Sequence, residues 1–584
     1  MKRLYLLAGM WILAILGGWR LPAACGAEPA ELIPDSAVLY AEVSKPGELL
    51  ERALDPALVD LFRDVDDVRK YLASDDYRKL RGVITLVETR LGVKWQAVLA
   101  DLIGGGVYVG AAPQHEAVLL IVRSRDAALA GKLNQALVEL VQLDAANRGK
   151  ESQVRSRSYR DVEIWSFGKR EHHALAGDLL LVSNRAEAVE AAIDRLQNPE
   201  LSSLADLPEY QQAHSRVAAD QSGWAMARLA PIRAVPKIEK ALSAKSNNPL
   251  AELLLAGPIE AFRNASFALA SVEVGSDHFR FKAEAPLERS AVAETRSWYF
   301  SPPSEAAAPA PLRLPDTIAT VTAYRDVSGM WQRRDELFDE ITAARLGKAD
   351  TDLGLFFAGR EFESEVLGEL APRWQMLVAR QEFAADRPVP AIRLPAFAVV
   401  LELKDPQEFG TTALVAYQKL VGIYNIAGGQ QGKPPLLLTT HSHRGVTVSE
   451  AVFPPISDEP RENAAFHHNF NPSCAQAGNW FIIGSTSGIV RQAIDALQEG
   501  AAASPLADNA RIELDAEQIA DALFANRELL ISQNMLEEGH DRAEAEKQID
   551  LVLKLVRLVG QAQLRLSYEN GVVEFEAAAG NTSN

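Results

Sequence analysis

Histidine and cysteine side chains in one stretch of the second half of the chain are the residues best suited to chemistry. His441 and His443 stand two residues apart on a predicted strand, so both side chains would project from the same face. His467 and His468 lie in a polar segment that leads to Cys474. Since imidazole and thiolate groups bind zinc and related transition metals, these five residues are the candidates for a metal site.

The same residues also have a structural explanation. Neither an HExxH nor a CxxC motif accompanies them, and alternate residues on the wet face of a strand are usually solvated. A lone Cys474 is typical of a small buried apolar residue. The sequence therefore predicts no catalytic residue and no bound cofactor. A metal-dependent hydrolase that uses a transition metal in the His441 and His443 region remains the alternative.

The run GSTSG over residues 484–488 lies at a predicted strand-to-helix turn and superficially resembles a nucleophile elbow. That motif needs serine at its centre with glycine two residues to each side. Here Thr486 stands at the centre, so the turn does not predict a hydrolase. Ser487 is expected to cap the following helix instead.

The elements that would position these residues occur twice in the chain. Residues 32–37 (LIPDSA) precede an apolar strand, and residues 314–319 (LPDTIA) precede another. Residues 176–182 (AGDLLLV) likewise correspond to residues 477–483 (AGNWFII), and each is followed by a predicted helix. An ordered series of such echoes predicts a duplicated chain rather than a short repeat.

The predicted organisation is a signal peptide over residues 1–27, a first domain over 28–300, a linker over 301–315 and a homologous second domain over 316–584. The linker sequence, SPPSEAAAPAPLRLP, is rich in proline and alanine and has little to bury, which predicts an extended segment.

The order of predicted strands and helices also indicates the fold class. Strands occur in adjacent pairs joined by short turns, which favours antiparallel pairing, and helices separate the pairs. The alternation in Phe279-Arg280-Phe281-Lys282 is typical of a sheet with one buried and one solvated face. The prediction is an α+β protein of two tandem homologous domains, each a mainly antiparallel sheet with helices packed on one face.

The N-terminus has the features of an export signal. Met1-Lys2-Arg3 is basic, residues 4–16 are apolar, and small residues lead to Ala27. We expect cleavage after Ala27 and an extracytoplasmic protein, either periplasmic, at the cell surface or secreted. A lipid anchor at Cys25 and an uncleaved signal anchor are the alternatives. No later stretch approaches 18 apolar residues, so the mature chain is expected to lack a transmembrane segment.

Composition excludes several classes of protein. The 584 residues contain 60 Lys and Arg against 78 Asp and Glu, a net charge of −18. Such an acidic chain lacks the cationic surface that binds nucleic acid. Hydrophobic residues make up 48% and charged residues 24%, which is typical of folded globular domains. Once Cys25 is removed, Cys474 has no partner for an intramolecular disulfide.

Three segments resemble a known family: residues 34–43 (PDSAVLYAEV), 95–106 (WQAVLADLIGGG) and 177–183 (GDLLLVS). They are similar to exported, uncharacterised proteins that are common in planctomycete-type bacteria and carry a domain of unknown function. The resemblance implies an extracytoplasmic location and a duplicated α+β body. It implies no catalytic residue.

These observations favour a non-catalytic exported protein with a binding or structural role and an unknown protein or cell-envelope partner. One alternative is a carrier that encloses an apolar ligand between its two lobes. The other is the hydrolase at His441 and His443. The sequence leaves the ligand, the partner and the oligomeric state open.

Overall fold

The computed structural model describes residues 27–580, except for residues 64, 148–153, 169, 303–306, 358, 384–387, 433, 455–463 and 501–504. Apart from Ala27, the predicted signal peptide lies outside the described residues, and so does Cys25. Export and lipid anchoring therefore stay predictions.

Strands and helices are distributed along the whole described chain. The strands are β1 (Leu39–Val43), β2 (Val107–Ala112), β3 (Ala117–Arg123), β4 (Val154–Tyr159), β5 (Val162–Phe167), β6 (His172–Ala176), β7 (Leu179–Ser183), β8 (Gly223–Arg228), β9 (Phe267–Val274), β10 (His278–Pro286), β11 (Thr317–Tyr324), β12 (Leu370–Ala379), β13 (Ala396–Leu403), β14 (Leu437–His443), β15 (Val446–Val452), β16 (Ser473–Ala477), β17 (Trp480–Gly484), β18 (Ala510–Asp515), β19 (Gln561–Glu569) and β20 (Val572–Gly580). The α-helices are α1 (Pro46–Ala53), α2 (Pro56–Arg63), α3 (Asp66–Leu72), α4 (Asp75–Leu91), α5 (Trp95–Ile103), α6 (Ala127–Asn147), α7 (Ala186–Gln197), α8 (Pro208–His214), α9 (Leu229–Arg233), α10 (Pro236–Ser243), α11 (Pro249–Asn264), α12 (Val327–Gln332), α13 (Arg334–Leu337), α14 (Glu340–Phe356), α15 (Pro406–Gly429), α16 (Ser487–Gln498), α17 (Ala516–Phe524), α18 (Arg527–Glu538) and α19 (Arg542–Val559).

The chain forms two compact units. The first takes in the described residues up to Ile238 together with Ser266–Gly275, and the second takes in Glu239–Ala265 and the chain from Ser276 onward. In the first unit the strands lie in the order β4-β5-β6-β7-β3-β2-β1-β8-β9, and every neighbouring pair is antiparallel.

The second unit has the same pattern. Its strands lie in the order β14-β15-β16-β17-β13-β12-β11-β18-β19-β20-β10, again with every neighbouring pair antiparallel. From β14 to β19 this order matches that of the first unit strand for strand. A common order is what a duplication would produce, and descent from one ancestral domain stays a prediction.

Helices pack on both faces of each sheet. In β7, Leu179 and Leu181 point to one face and are buried with α7, whereas Leu180 and Val182 point to the other and are buried with α5 and α6. Burying each such side chain stabilises the fold by about 1.5–3 kcal/mol. The α+β class and the antiparallel sheet are therefore confirmed, but the helices cover two faces rather than one. A strand buried on both faces is a continuous apolar run, as residues 179–182 (LLLV) are.

Part of the predicted linker belongs to the core of the second unit. Ala308 and Leu312 are fully buried, and the Leu312 amide donates to Gln375 Oε1 at 2.9 Å. The Thr320 hydroxyl donates to the Leu312 carbonyl at 3.1 Å. Residues 307–314 are therefore not an extended linker, because polar side chains of β11 and β12 satisfy backbone groups that a segment rich in proline and alanine leaves unpaired.

The boundary predicted at residue 300 also differs from the compact units. Strand β10 pairs with β20 over its whole length, from His278 opposite Gly580 to Pro286 opposite Val572. Helix α11 supplies two carboxylates to the Arg296 guanidinium. Both elements precede residue 300, yet their hydrogen bonds lie within the second unit.

Candidate binding face

The two candidate histidines of β14 stand on one face of the sheet, and each has its own acidic partner. His441 Nδ1 lies 3.6 Å from Glu450 Oε2, and His443 Nε2 lies 2.6 Å from Asp495 Oδ1. His441 Nε2 is buried without a hydrogen-bond partner among the described residues. Each imidazole therefore lies beside a different carboxylate, and the two have no acidic partner in common.

Cys474 lies on the opposite face from these histidines. Val448 pairs directly with His441, and the next residue of β15, Ser449, pairs with Cys474. Successive residues of a strand point to opposite faces, so the thiol points away from both imidazoles. It is packed with Tyr417 and other apolar residues of α15.

The remaining two candidates pack against aromatic rings. The His467 ring centroid lies 4.5 Å from that of Phe453 and 4.2 Å from that of His468. Within the described part of the chain, no three His, Cys, Asp or Glu side chains form a group that could hold a metal ion. The sheet register thus separates Cys474 from His441 and His443, and a metal site at these residues stays a prediction.

Burial should make Cys474 unreactive in the folded protein. The side chain is fully buried, and burial raises the pKa of its thiol to about 12. At pH 8 only about one thiol in ten thousand would then be thiolate. We expect no iodoacetamide adduct on a Cys25→Ser chain under native conditions and complete labelling in guanidinium chloride, measured by mass spectrometry. Rapid native labelling would contradict the packing described above.

Ser487 does not have the capping role expected from the sequence. The N-cap of α16 is Thr486, whose hydroxyl accepts a hydrogen bond from the Ile489 amide at 3.3 Å. The Ser487 hydroxyl instead donates to Glu450 Oε1 at 3.1 Å, and the Asn471 side chain donates to the same oxygen. Ser487 thus binds a carboxylate, and Thr486 caps a helix. Among the described residues neither hydroxyl group is hydrogen-bonded to a histidine, which a serine hydrolase would use as its base.

One face of the second sheet carries two adjacent rows of apolar side chains across seven strands. From β13 to β10, the first row consists of Phe397, Val378, Ala319, Leu514, Ala562, Ala579 and Phe279. The second row consists of Val399, Met376, Val321, Ile512, Leu564, Ala577 and Phe281. Each of these side chains is partly exposed. We call the two rows the apolar strip.

The apolar strip contrasts with the opposite face of the same strands. Phe397 is 49% exposed and Met376 is 38% exposed, whereas their neighbours Ala398 and Leu377 are fully buried in the core beneath α16. An antiparallel sheet that leaves one face to solvent normally places polar residues there. A continuous apolar surface that stays partly exposed is typical of a binding site.

Packed elements flank the apolar strip on both long sides. Further along β19 and β20, Leu566 and Val573 are buried in a cluster with Trp298, Tyr299 and Phe300. Beyond the other end of β12, the Arg380 guanidinium pairs with Asp316 at 2.8 Å and with Asp521 of α17 at 3.4 Å. The strip therefore lies between an aromatic cluster and a group of ion pairs.

The first unit has a smaller surface of the same kind. Across β3, β2, β1, β8 and β9, one row consists of Val118, Ala111, Leu39, Ala227 and Ala268. The next row consists of Leu120, Val109, Ala41, Ala225 and Ala270. All ten side chains are partly exposed.

The second unit also contains a polar cavity of about 580 Å³ on the other face of its sheet. Arg313, Arg511 and Arg565 line it together with Glu513 and three glutamines, which are Gln518, Gln561 and Gln563. Each arginine is paired with a carboxylate: Arg313 with Glu513, Arg511 with Asp508, and Arg565 with Glu576. These pairs balance the charge of the cavity.

Sequence reasoning did not identify the apolar strip. A usable signal was present in residues 396–403, AFAVVLEL, where both alternating sets of residues are largely apolar. Such a run predicts a strand covered on both faces, but Phe397 on one of these faces is 49% exposed.

The fold defines an α+β protein whose two units are each built on antiparallel strands. Residues 96–343 match the model of a protein family of unknown function, DUF3352, which is less than half of the chain. The chain thus contains a domain of unknown function, as the resemblance implied. None of the curated proteins matches it.

Solved structures show a distant similarity. Those titled "Structure of crystal form I of TP0453" and "Structure of crystal form IV of TP0453" are each 10% identical to this chain. Each match covers 45% of this chain and 81% of the other, with TM-scores of 0.25 and 0.24. A similarity at this level says nothing about ligand or function.

In the part of the chain that the structure describes, no helix is long and apolar enough to cross a bilayer.

Proposed function

We propose that the chain is a non-catalytic binding protein whose second unit holds the acyl chain of a neutral lipid against the apolar strip. The observation that supports the proposal is the partial exposure of two apolar rows across seven strands. In this proposal the apolar ligand of a carrier lies within one unit, on one face of its strands, rather than between the two lobes.

The dimensions of the apolar strip favour a narrow ligand. Strands about 4.8 Å apart make its seven columns roughly 29 Å long, and its two rows are about 7 Å apart. A helix with its side chains is about 10–12 Å across, which is wider than the two rows, whereas an extended acyl chain is long and narrow. Each methylene that leaves water contributes about 0.8 kcal/mol.

The charge of the chain favours a neutral ligand. With a net charge of −18, the protein repels anions over much of its surface. An uncharged or zwitterionic headgroup avoids this repulsion, so a neutral lipid fits better than a free fatty acid.

The proposed location is outside the cytoplasm. It rests on the basic start of the chain, the apolar run over residues 4–16 and the small residues before Ala27. Cell fractionation of a tagged full-length chain tests this part, and recovery of the unprocessed chain in the cytoplasm would contradict it.

Met376→Lys should strongly weaken ligand binding by the second unit. A lysine at this central position places a charge against the acyl chain, and we expect at least a roughly tenfold loss of affinity because burying an unpaired charge is costly. The probe is monopalmitoylglycerol, and native mass spectrometry counts the bound molecules. The variant should bind one molecule fewer than the unmodified chain.

Leu536→Lys is the matched control for this experiment. Leu536 lies on α18 and is 85% exposed, so the same charge is introduced at an apolar surface position outside the strip. The control should bind as many lipid molecules as the unmodified chain. An unmodified chain that binds no monopalmitoylglycerol, or equal binding by Met376→Lys, would overturn the proposal.

A further inference from the structure

We propose that the polar cavity of the second unit binds a neutral, hydroxyl-rich ligand with the dimensions of a disaccharide. The side chains of Arg511, Glu513 and Asp515 alternate along β18 and line the cavity, whereas Ile512 between them belongs to the apolar strip on the opposite face. The proposal therefore does not depend on lipid binding by the strip.

One wall of the cavity is formed by polar side chains on two neighbouring strands. Six residues of β18 and β19 lie in directly opposed pairs, which are Arg511 with Arg565, Glu513 with Gln563, and Asp515 with Gln561. At about 3.4 Å per residue, this polar surface is about 14 Å long, which suits a ligand of two linked sugar rings. The cavity volume of about 580 Å³ is also within the range of small-molecule sites, which is about 300–1,000 Å³.

The order of the charges in this wall disfavours an ion as the ligand. Arg511, Glu513 and Asp515 follow one another on the same face at intervals of about 7 Å, so a small ion beside its counter-charge would also lie close to a like charge. The Arg511 and Arg565 guanidinium groups are already paired with carboxylates. A ligand without net charge avoids the repulsion and leaves these pairs intact.

Two residues that line the cavity each have a buried polar atom with no hydrogen-bond partner among the described residues. These atoms are Oε1 of Gln518, on the first turn of α17, and Nε of Arg565. An unpaired buried polar atom costs about 1–3 kcal/mol. The first atom is an acceptor and the second a donor, and a hydroxyl group can both donate and accept. A ligand with several hydroxyl groups therefore offers a partner to both atoms.

The cavity lining is fixed by hydrogen bonds of its own. The Leu314 amide donates to Thr317 Oγ1 at 2.8 Å, and the Thr317 hydroxyl donates to the Leu314 carbonyl at 2.6 Å. Asp515 Oδ1 accepts from the Gln518 amide at 3.0 Å and so holds the start of α17 at the cavity. A preformed site of this kind loses little conformational entropy when a ligand binds.

The test is a titration of the full chain with maltose, cellobiose and N,N′-diacetylchitobiose, followed by saturation-transfer NMR of the sugar. We expect at least one of these disaccharides to bind. Gln518→Leu should weaken that binding about tenfold, because the variant keeps the size of the side chain but loses the acceptor. Since the ligand is neutral, its affinity should be the same at low and at high salt.

The matched control is Gln492→Leu, which changes a half-buried glutamine of α16 outside the cavity. It should bind the sugar as the unmodified chain does, and unchanged thermal melting of both variants excludes unfolding as the cause. Binding of none of the three sugars, or equal binding by Gln518→Leu, would overturn the proposal. Inorganic phosphate or glutamate that binds in place of the sugars, and is weakened by Gln518→Leu, would instead assign the cavity to a charged ligand.

Discussion

Arg296→Met is expected to lower the free energy of unfolding of the second unit by about 3–5 kcal/mol, because it leaves the buried Glu252 carboxylate without its cation and leaves the Glu260 carboxylate with Arg263 alone. Glu252 and Glu260 of α11 are 2% and 1% exposed. Arg296 Nε donates to Glu252 Oε1 at 2.6 Å, and Arg296 Nη1 donates to Glu260 Oε1 at 3.1 Å. Urea denaturation followed by tryptophan fluorescence measures the change.

Two further variants separate the effect of the buried pair from the loss of any arginine. Arg313→Met removes an arginine that is 77% exposed and pairs with Glu513, so it should cost no more than about 1 kcal/mol. Adding Glu252→Gln to Arg296→Met should recover part of the lost stability, because the unpaired charge of Glu252 is removed. A change of less than about 1 kcal/mol for Arg296→Met alone would show that this network is not desolvated as described.

Acidification is expected to destabilise the first unit through His173. This side chain is 3% exposed, lies 5.1 Å from the Phe167 ring between centroids, and its Nε2 is 3.0 Å from Asn134 Oδ1. Burial lowers the pKa of His173 from 6.5 to about 4. The unfolded chain therefore takes up a proton near pH 6.5 that the folded chain resists until about pH 4.

The sign and size of this effect follow from proton linkage. Neutral His173 contributes its full stability above pH 6.5, and the contribution falls as the pH decreases toward 4 and then stays constant. At 1.36 kcal/mol per unit of pKa, the total loss is about 3 kcal/mol. Measurements of unfolding between pH 7 and 4 should show that His173→Gln has a shallower decline than the unmodified chain.

The neighbouring residue provides the control for this prediction. His172 is half-buried, and its Nδ1 lies 2.8 Å from the Ser166 hydroxyl. His172→Gln should therefore keep the steeper pH dependence of the unmodified chain. Identical slopes for His173→Gln and the unmodified chain would mean that His173 is accessible to solvent in the folded state.

Much of the fold was predictable because it depends on local patterns. Adjacent strands joined by short turns predict antiparallel pairing, and the structure has antiparallel pairs throughout the two units. The echo between residues 176–182 and 477–483 falls on β6–β7 and β16–β17, which occupy matching places in the two strand orders. Such regularities reflect backbone hydrogen bonding and side-chain alternation, which the order of residue types encodes.

The limits of the same reasoning are visible in β10. Its alternation Phe279-Arg280-Phe281-Lys282 predicts buried phenylalanines and solvated charges. In the structure Phe279 is 44% exposed, whereas Lys282 Nζ lies 2.9 Å from a carboxylate oxygen of Glu574. The alternation correctly indicates two different faces, but which face is covered depends on elements distant in the chain.

The arrangement of the candidate metal ligands also depends on tertiary structure. The spacing of His441 and His443 correctly implies a shared face. The spacing of residues within one strand does not determine how the neighbouring strands align with it. A shift of one residue in the β15–β16 register would move Cys474 to the other face of the sheet. The observed register places it opposite Ser449 and thereby separates thiol from imidazole.

The amino-acid sequence by itself therefore determined the α+β class, the antiparallel pairing, the acidic charge and the two series of matching elements. These properties arise from residue type and from neighbours within a few positions. Only the tertiary structure decided which sheet face stays partly exposed, that residues 307–314 join a core, and that the histidines and Cys474 do not meet. Those outcomes depend on long-range packing and strand register, in which residues far apart in the chain compete to cover the same surface.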